Sequence, residues 1–115
     1  MDCIFCKIAQ GEIPSKTVLE DEHLIAFDDI APLAPVHTLV IPKKHIANVG
    51  DAGDEDGALM GRLVLAARDV ARLKGVDESG FRLIANTRSD GGQEVYHLHV
   101  HVIGGRPLGR MLLGR

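Results

Sequence analysis

The sequence predicts one small domain in which short β-strands pack against a single long α-helix. Apolar residues recur at i, i+3 and i+4 spacing over about residues 55–74, which is typical of an amphipathic helix. Segments of alternating or β-branched residues lie on both sides of that helix and are typical of strands. The chain has 115 residues, enough for one hydrophobic core but not for two, so we expect a single domain over residues 1–115.

The composition is that of an ordinary globular protein, with 45% hydrophobic and 25% charged residues. Aromatic residues make up only 3%, so we expect an aliphatic core. The formal net charge of -3, without a basic stripe, argues against a general nucleic-acid binder. No apolar run reaches the length of a membrane span, and the first residues lack the features of a signal peptide. We therefore expect no nucleic-acid or membrane partner and a cytoplasmic location.

Two cysteines near the start of the chain, Cys3 and Cys6, are spaced as C-x-x-C. The apolar residues around them, Ile4, Phe5 and Ile8, predict a short helical turn that packs on a sheet. Cytoplasmic thiols are expected to be reduced, and no strand precedes this pair as a thioredoxin-type redox site would require. Two cysteines supply half of a zinc site, so they either bind metal together with histidines or pack as small apolar side chains.

Three strands are predicted before the helix. Thr17–Glu20 and Leu24–Asp28 form a hairpin, and residues 36–41 form the third strand. A carboxylate at the end of the second strand, beside the apolar Phe27 and Ile30, could bind the diol of a ribose against a wall for the base. The alternative, an aspartate that caps a turn, is the more common role at such a position.

The helix is predicted over residues 55–74, with Asp54 as its N-cap and Gly75 just after its end. A further strand is predicted over residues 81–86. The loop that follows, residues 87–93, contains two glycines and could present backbone N–H groups to an anion. Most loops of this kind are simple turns, but this one leads directly into a cluster of histidines.

That cluster is the most informative stretch of the chain. Apolar residues and histidines alternate over residues 95–106, which predicts a strand with His97, His99 and His101 on one face and apolar residues on the other. Three interpretations are open: a solvated strand face, a zinc site built from H-x-H pairs, and nucleophilic catalysis by one imidazole. A neutral imidazole is a competent nucleophile near pH 7, provided that its other nitrogen carries the proton and is held, most simply by a backbone carbonyl.

The segment from His97 to Ile103 resembles the His-φ-His-φ-His-φ-φ signature (φ is apolar) of the histidine-triad (HIT) superfamily. Other segments resemble its Hint branch, the histidine triad nucleotide-binding proteins: residues 4–5, 27–30, 35–37, 41–45 and 89–93. The likeness covers residues 3–106, with residues 107–115 as a C-terminal tail.

The resemblance implies an α+β domain with a five-stranded antiparallel sheet, one long helix and a short N-terminal helix. It also implies pairing into a homodimer with a continuous sheet. The implied activity is hydrolysis of purine nucleoside 5′-phosphoramidates to AMP and an amine, through a covalent nucleotidyl-histidine and with no cofactor required for catalysis. The alternatives are dinucleoside polyphosphate hydrolysis, nucleotidyl transfer, a zinc hydrolase that uses the triad as ligands, and a purine nucleotide-binding module without turnover.

Roles for individual residues also follow from the resemblance. His99 would be the nucleophile, His101 and His37 would contact the phosphate, and His97 would orient the cluster. Asp29 would bind the ribose hydroxyls. The base pocket would comprise Ile4, Phe5, Phe27 and Ile30, and the loop beside the phosphate would comprise Asn86, Gly92 and Gln93.

Two features depart from many Hint proteins. Glu94 stands where many have a serine that hydrogen-bonds the leaving group, and the tail lacks their Trp-Pro-Pro-Gly ending. Both leave the preferred amine open. Some bacterial relatives hold a structural zinc through two cysteines and two histidines, which here would be Cys3, Cys6, His45 and His97. The alternative remains a pair of free thiols.

Overall fold

The structure, a computed structural model, describes residues 3–112. Its elements in chain order are α1 (Ile4–Ala9), β1 (Thr17–Glu20), β2 (Leu24–Asp28), β3 (Val36–Pro42), α2 (Gly57–Leu73), β4 (Phe81–Ile84) and β5 (Val100–Gly104). Two single turns of 3-10 helix, Val49–Asp51 and Asp54–Asp56, precede α2. The last three residues of the tail predicted over 107–115 lie outside the described part of the chain.

The five strands form one sheet in the order β1-β2-β3-β5-β4, and all neighbouring strands are antiparallel. This confirms the predicted α+β fold with a five-stranded antiparallel sheet, one long helix and a short N-terminal helix. At the centre of the sheet, His37 of β3 pairs with Ile103 of β5, and Leu39 pairs with His101. The two histidines therefore lie diagonally across the central strand pair, on the same face.

The two faces of the sheet are covered by different helices. On one face, α2 buries Leu63, Ala67 and Val70 against strand residues such as Val40 and Val102. On the other face, α1 packs Phe5 into an apolar cluster; its other buried members are Cys3, Ile25, Phe27, Leu39 and Ile41. Because α1 has only six residues, it covers only part of its face. The histidines lie on this second face.

The strand predicted through the three histidines is shorter than expected. β5 begins at Val100, so the first two histidines precede it. β3 continues to Pro42 beyond its last pair with β5, Val40 with Val100, but the N–H of Leu98 donates instead to the carbonyl of Ile46 (2.7 Å) in the segment after β3. The predicted alternation still holds, because Leu98, Val100 and Val102 all belong to the core beneath α2.

The start of α2 also differs from the prediction. Asp54 does not cap the helix, because Asp54–Asp56 form a 3-10 turn with Gly53 at its N-cap, and α2 follows that turn. The tight turn lets the carboxylate of Asp56 accept the N–H of Gly53 (2.9 Å). Gly75 follows the C-terminus with a φ of 73°, which confirms its predicted position. Among the described residues, no helix is both long and apolar enough to cross a membrane.

Candidate active site

His99 anchors one ring nitrogen to the backbone and leaves the other one open. Its Nδ1 lies 2.7 Å from the carbonyl oxygen of His97. A carbonyl can only accept a hydrogen bond, so Nδ1 carries the proton and Nε2 keeps its lone pair. Within residues 3–112, Nε2 makes no hydrogen bond, and His99 lines a cavity. His99 is therefore held in the tautomer that a nucleophile requires.

A chain of hydrogen bonds fixes the other two imidazoles of the cavity. The backbone N–H of Leu33 donates to Nδ1 of His37 (3.1 Å). The proton of His37 is therefore on Nε2, which donates to Nδ1 of His101 (2.9 Å). By the same logic, His101 carries its proton on Nε2. This series of hydrogen bonds therefore ends in the Nε2–H of His101, which is a donor at the cavity.

His101 is neutral near pH 7. Burial, together with the neighbouring His99 and His37, lowers the pKa of His101 to about 4, against an opposing effect of Asp29. The ring centroids of His101 and His99 are 4.9 Å apart. His101 thus supplies a neutral hydrogen-bond donor beside the open nitrogen of His99, rather than a positive charge.

The cavity has a volume of about 640 Å³, within the range of roughly 300–1,000 Å³ typical of small-molecule sites. One wall is apolar: the ring of Phe5 meets those of His99 and Phe27 edge-to-face, at centroid distances of 5.2 and 5.6 Å. Most of the predicted nucleotide-binding residues line it, namely Ile4, Phe5, Phe27, Asp29, Ile30, Asn86, Gly92 and Glu94. An apolar wall next to polar donors suits a base attached to a ribose and a phosphate.

The two carboxylate oxygens of Asp29 make different contacts. Oδ1 accepts the N–H of Ala31 (2.9 Å), which is the turn-capping role considered above. Oδ2 lies 3.5 Å from Nε2 of His37, and the side chain is 22% exposed at the cavity. One oxygen therefore caps the turn while the other remains accessible to a ligand.

Gln93 is the predicted nucleotide-binding residue that does not line the cavity. Its side-chain amide donates to the carbonyls of Ala47 (2.7 Å) and Val95 (3.0 Å), and its oxygen accepts the N–H of Arg88 (2.9 Å). The amide is thus engaged within the protein, and Gln93 shapes the loop that presents Gly92.

Asn86 holds the same loop from its other end. Its side-chain amide donates to the carbonyl of Gly91 (2.7 Å). β4 ends at Ile84, two residues earlier than predicted, and the chain then turns into this loop. Asn86 still lines the cavity, as does the exposed Glu94 after the loop.

Several site features were not predicted. Lys16, Ser15 and Leu39 also line the cavity. Strand alternation could have found Leu39, because it shares a face with the neighbouring Phe27, whereas nothing in the sequence marks Lys16. The N–H of Leu33 is a backbone group, and every residue other than proline carries one, so no sequence pattern could single it out.

His97 lies outside the cavity and faces a separate cluster. Its Nε2 donates to the carbonyl of Pro42 (2.8 Å), which leaves Nδ1 with a lone pair. Nδ1 lies 3.3 Å from Sγ of Cys3, 3.5 Å from Sγ of Cys6 and 3.1 Å from Nδ1 of His45. Burial and the neighbouring Cys3 raise the pKa of the Cys6 thiol.

These four residues, which we call the Cys-His cluster, fit a tetrahedral zinc ion. Their ligand atoms all lie within 4.8 Å of one another. Zinc–sulfur and zinc–nitrogen bonds of about 2.3 and 2.0–2.1 Å place neighbouring ligand atoms roughly 3.3–3.8 Å apart, close to the separations found here. The bond from His97 to Pro42 is also the kind of outer contact that orients a zinc-bound histidine. Two cysteines and two histidines form a closed, structural type of site.

Comparison with known proteins identifies the family. The model of the HIT domain matches residues 10–108, most of the chain. The chain belongs to the HIT family. This confirms the resemblance drawn from the histidine signature. The HIT fold is equally evident in solved structures: a HIT family hydrolase from Legionella pneumophila Philadelphia 1 superposes with a TM-score of 0.92 at 51% identity, covering 94% of this chain and 96% of that one.

Other members of the HIT family are similar over nearly their full length. A histidine triad protein from Clostridium difficile gives a TM-score of 0.93 at 49% identity, covering 96% of both chains. The purine nucleoside phosphoramidase of Escherichia coli strain K12 is 49% identical over 111 residues, which are 96% of this chain and 93% of that protein.

Proposed function

We propose that this HIT protein hydrolyses purine nucleoside 5′-phosphoramidates, releasing AMP or GMP and an amine, with His99 as the nucleophile. The observation that carries the proposal is the state of His99: Nδ1–H is bound to a backbone carbonyl, and Nε2 is open in a cavity of nucleotide size. The 49% identity to a protein named purine nucleoside phosphoramidase supports hydrolysis of this class of substrate.

In the first step, Nε2 of His99 attacks phosphorus and the P–N bond breaks. The electron pair of the P–N bond departs with the amine, which takes up a proton from the solvent, and the nucleotidyl group remains on His99. The ring becomes positively charged when Nε2 bonds to phosphorus. The carbonyl of His97, which accepts the Nδ1 proton at 2.7 Å, stabilises that charge.

In the second step, water attacks phosphorus and gives up a proton to the solvent, the electron pair of the broken bond returns to Nε2 of His99, and the nucleotide leaves with the added oxygen. In both steps negative charge builds on the non-bridging oxygens. The Nε2–H of His101 is the donor available to stabilise it, because the N–H groups of Gly92 and Gln93 already donate to the carbonyls of Ser89 and Arg88. These side chains and backbone groups carry the steps without a cofactor.

The remaining cavity residues bind the nucleoside. The free oxygen of Asp29 accepts hydrogen bonds from the ribose hydroxyls, and the apolar wall of Phe5, Phe27 and Ile4 packs on the base. Such a wall recognises a flat ring by contact, so it suits a purine without distinguishing adenine from guanine.

Substitution of the nucleophile tests the proposal. Because all turnover passes through Nε2, His99→Gly should reduce release of AMP from adenosine 5′-phosphoramidate by on the order of 10³-fold or more, measured by chromatography of the products. His23→Asn, at an exposed position on the opposite end of β2 from Asp29, is the matched control and should retain full activity. Undiminished release by His99→Gly would contradict the mechanism.

The same assay separates the alternatives. If the wild-type protein binds AMP but releases none from any phosphoramidate, it is a binding module. If it cleaves dinucleoside polyphosphates faster than phosphoramidates, or passes AMP to a sugar phosphate in preference to water, the site uses the same His99 for a different leaving group or acceptor.

The proposal includes a homodimer formed through β4. β4 is an edge strand of the sheet, so its outer backbone groups are unpaired within the described chain, and its Leu83 is 38% exposed. Pairing of two β4 edges would extend the sheet across both copies. Sedimentation should give twice the chain mass of 12.4 kDa, and Leu83→Lys should shift the protein towards monomer. Leu73→Lys, at another exposed leucine, is the control and should stay dimeric.

A further inference from the structure

One residue, His97, belongs to both the Cys-His cluster and the active site. Its ring joins the cluster through Nδ1 and is fixed on its far side by the carbonyl of Pro42. Its own carbonyl oxygen, 2.7 Å from Nδ1 of His99, sets the tautomer of the nucleophile. Any force that fixes the position of His97 therefore also fixes the orientation of His99.

A second connection runs through α1. Cys3 caps the N-terminus of this helix, where its sulfur accepts the N–H of Cys6 (3.3 Å). Between the two cysteines stands Phe5, whose ring packs edge-to-face on both His97 (6.0 Å) and His99 (5.2 Å) and lines the cavity. The cluster thus fixes one wall of the cavity as well as the backbone behind the nucleophile.

Without a cation the cluster is poorly held together. Nδ1 of His97 is an acceptor, and two thiols and Nδ1 of His45 all approach it within 3.5 Å. One lone pair can accept only one of these competing donors well, and thiols are weak donors. A zinc ion would replace this competition with four bonds of defined length and direction.

We propose that Cys3, Cys6 and His45 are positioning residues for the reaction: by holding zinc together with His97, they fix the tautomer and orientation of His99 and the wall formed by Phe5. None of the three lines the cavity, so their effect on turnover is exerted through His97 and α1. The inference rests on the proposed function for its catalytic part, whereas the zinc content and the state of the His99 ring are independent of it.

The experiment compares the full-length wild-type protein with Cys6→Ser and His45→Ala, each measured well below its melting temperature. The readouts are bound zinc per chain, the ring nitrogen shifts of His99 by NMR, and kcat and KM separately. His23→Asn is again the control, since it removes an exposed histidine whose side chain belongs neither to the cluster nor to the cavity lining. Chelation of the wild-type protein followed by return of Zn²⁺ gives the same comparison without a substitution.

We expect about one zinc per wild-type chain and less than a tenth of that in the two variants. The wild-type His99 spectrum should show a single Nδ1–H tautomer, and zinc loss should convert it to a tautomer mixture. Removing a group that orients the reacting centre typically reduces activity about 10–100-fold, and we expect the loss mainly in kcat. Return of Zn²⁺ should restore both the spectrum and kcat in the chelated protein.

Two results would overturn the proposal: a wild-type protein that binds no zinc even when Zn²⁺ is added, or zinc loss that leaves the His99 spectrum and kcat unchanged. If zinc only stabilises the fold, its loss would lower the melting temperature and would change neither the His99 spectrum nor kcat. If no phosphoramidate is turned over at all, the proposed function fails, but zinc content and the His99 spectrum still decide whether the cluster positions the ring.

Discussion

At the scale of single residues, three histidines of one sheet face differ in the hydrogen bonds that their surroundings impose on them. His99 keeps an open lone pair, His101 ends a hydrogen-bond chain as a neutral donor, and His97 faces a pair of thiols. In each ring, a backbone group or another histidine engages one nitrogen and thereby defines the other. The chemistry of the site therefore depends on tautomers as much as on residue types.

Asp29 provides a test at this scale. Asp29→Asn should keep the turn, because the amide oxygen can still accept from Ala31, but it would remove the charge-assisted bond to the ribose that we propose. Since such bonds are worth about 1.5–3 kcal/mol, we expect kcat/KM to fall roughly 10–100-fold, mainly through a higher KM. The measurement is steady-state kinetics on adenosine 5′-phosphoramidate.

A 2′,3′-dideoxy substrate serves as the control for Asp29→Asn. It lacks the hydroxyls that Asp29 would bind, so the wild-type protein and the variant should have the same kcat/KM for it. An equal loss on both substrates would show that Asp29 acts through the turn rather than through the ribose.

The sequence was informative about which residues form the site and silent about how they are held. The alternation of histidines and apolar residues placed His97, His99 and His101 opposite the core, and the resemblance of residues 35–37 to the Hint branch indicated a fourth histidine, His37. The tautomers depend on the N–H of Leu33 and on the carbonyls of Pro42 and His97. Only the folded backbone shows which of these groups meets which ring.

At the scale of elements, the loop between β4 and β5 is held by a buried side-chain amide. Gln93 is 8% exposed and uses both ends of its amide within the protein. Gln93→Ala would leave two carbonyls and one N–H without their partners, and an unpaired buried polar group costs about 1–3 kcal/mol. We expect a loss of stability of at least that size, measured by urea unfolding.

The same substitution should also raise KM, because the loop that carries Gly92 would lose its support. Gln93→Glu is the informative comparison. It keeps the acceptor for the N–H of Arg88 but places a carboxylate against the carbonyls of Ala47 and Val95, so it should be no more stable than Gln93→Ala. A fully stable Gln93→Ala would show that water replaces the amide.

The boundaries of the strands and helices show which of them the sequence patterns predict correctly and which they do not. The hairpin Thr17–Glu20 and Leu24–Asp28 follows the prediction residue for residue, because both strands pair locally. The histidine strand was predicted too long, since the N–H of Leu98 donates to the carbonyl of Ile46, a distant part of the chain, instead of extending the pairing with β3. The helix start was misplaced because a 3-10 turn and a true N-cap both favour aspartates.

At the scale of the whole molecule, His101 links folding to pH. In the unfolded chain its pKa returns to about 6.5, whereas in the folded protein it is about 4. Between these values the unfolded state binds a proton that the folded state does not, so stability decreases as the pH falls from 6.5 towards 4. We expect His101 to account for roughly 1–2 kcal/mol of the loss between pH 7 and pH 5.

Urea unfolding at the two pH values measures this loss. His101→Asn cannot titrate, so its stability should change less than that of the wild type over the same interval. An equal change in both proteins would assign the pH dependence to other groups.

The neutral state of His101 has a further consequence for the proposed binding of phosphate. His101 keeps its proton on Nε2, so it would meet the phosphate as a dipole rather than as a full charge. Salt screens charge–charge attraction far more than short-range contacts between oriented dipoles. Substrate capture at this end of the cavity should therefore vary little with ionic strength, in contrast to phosphate sites built from lysine and arginine.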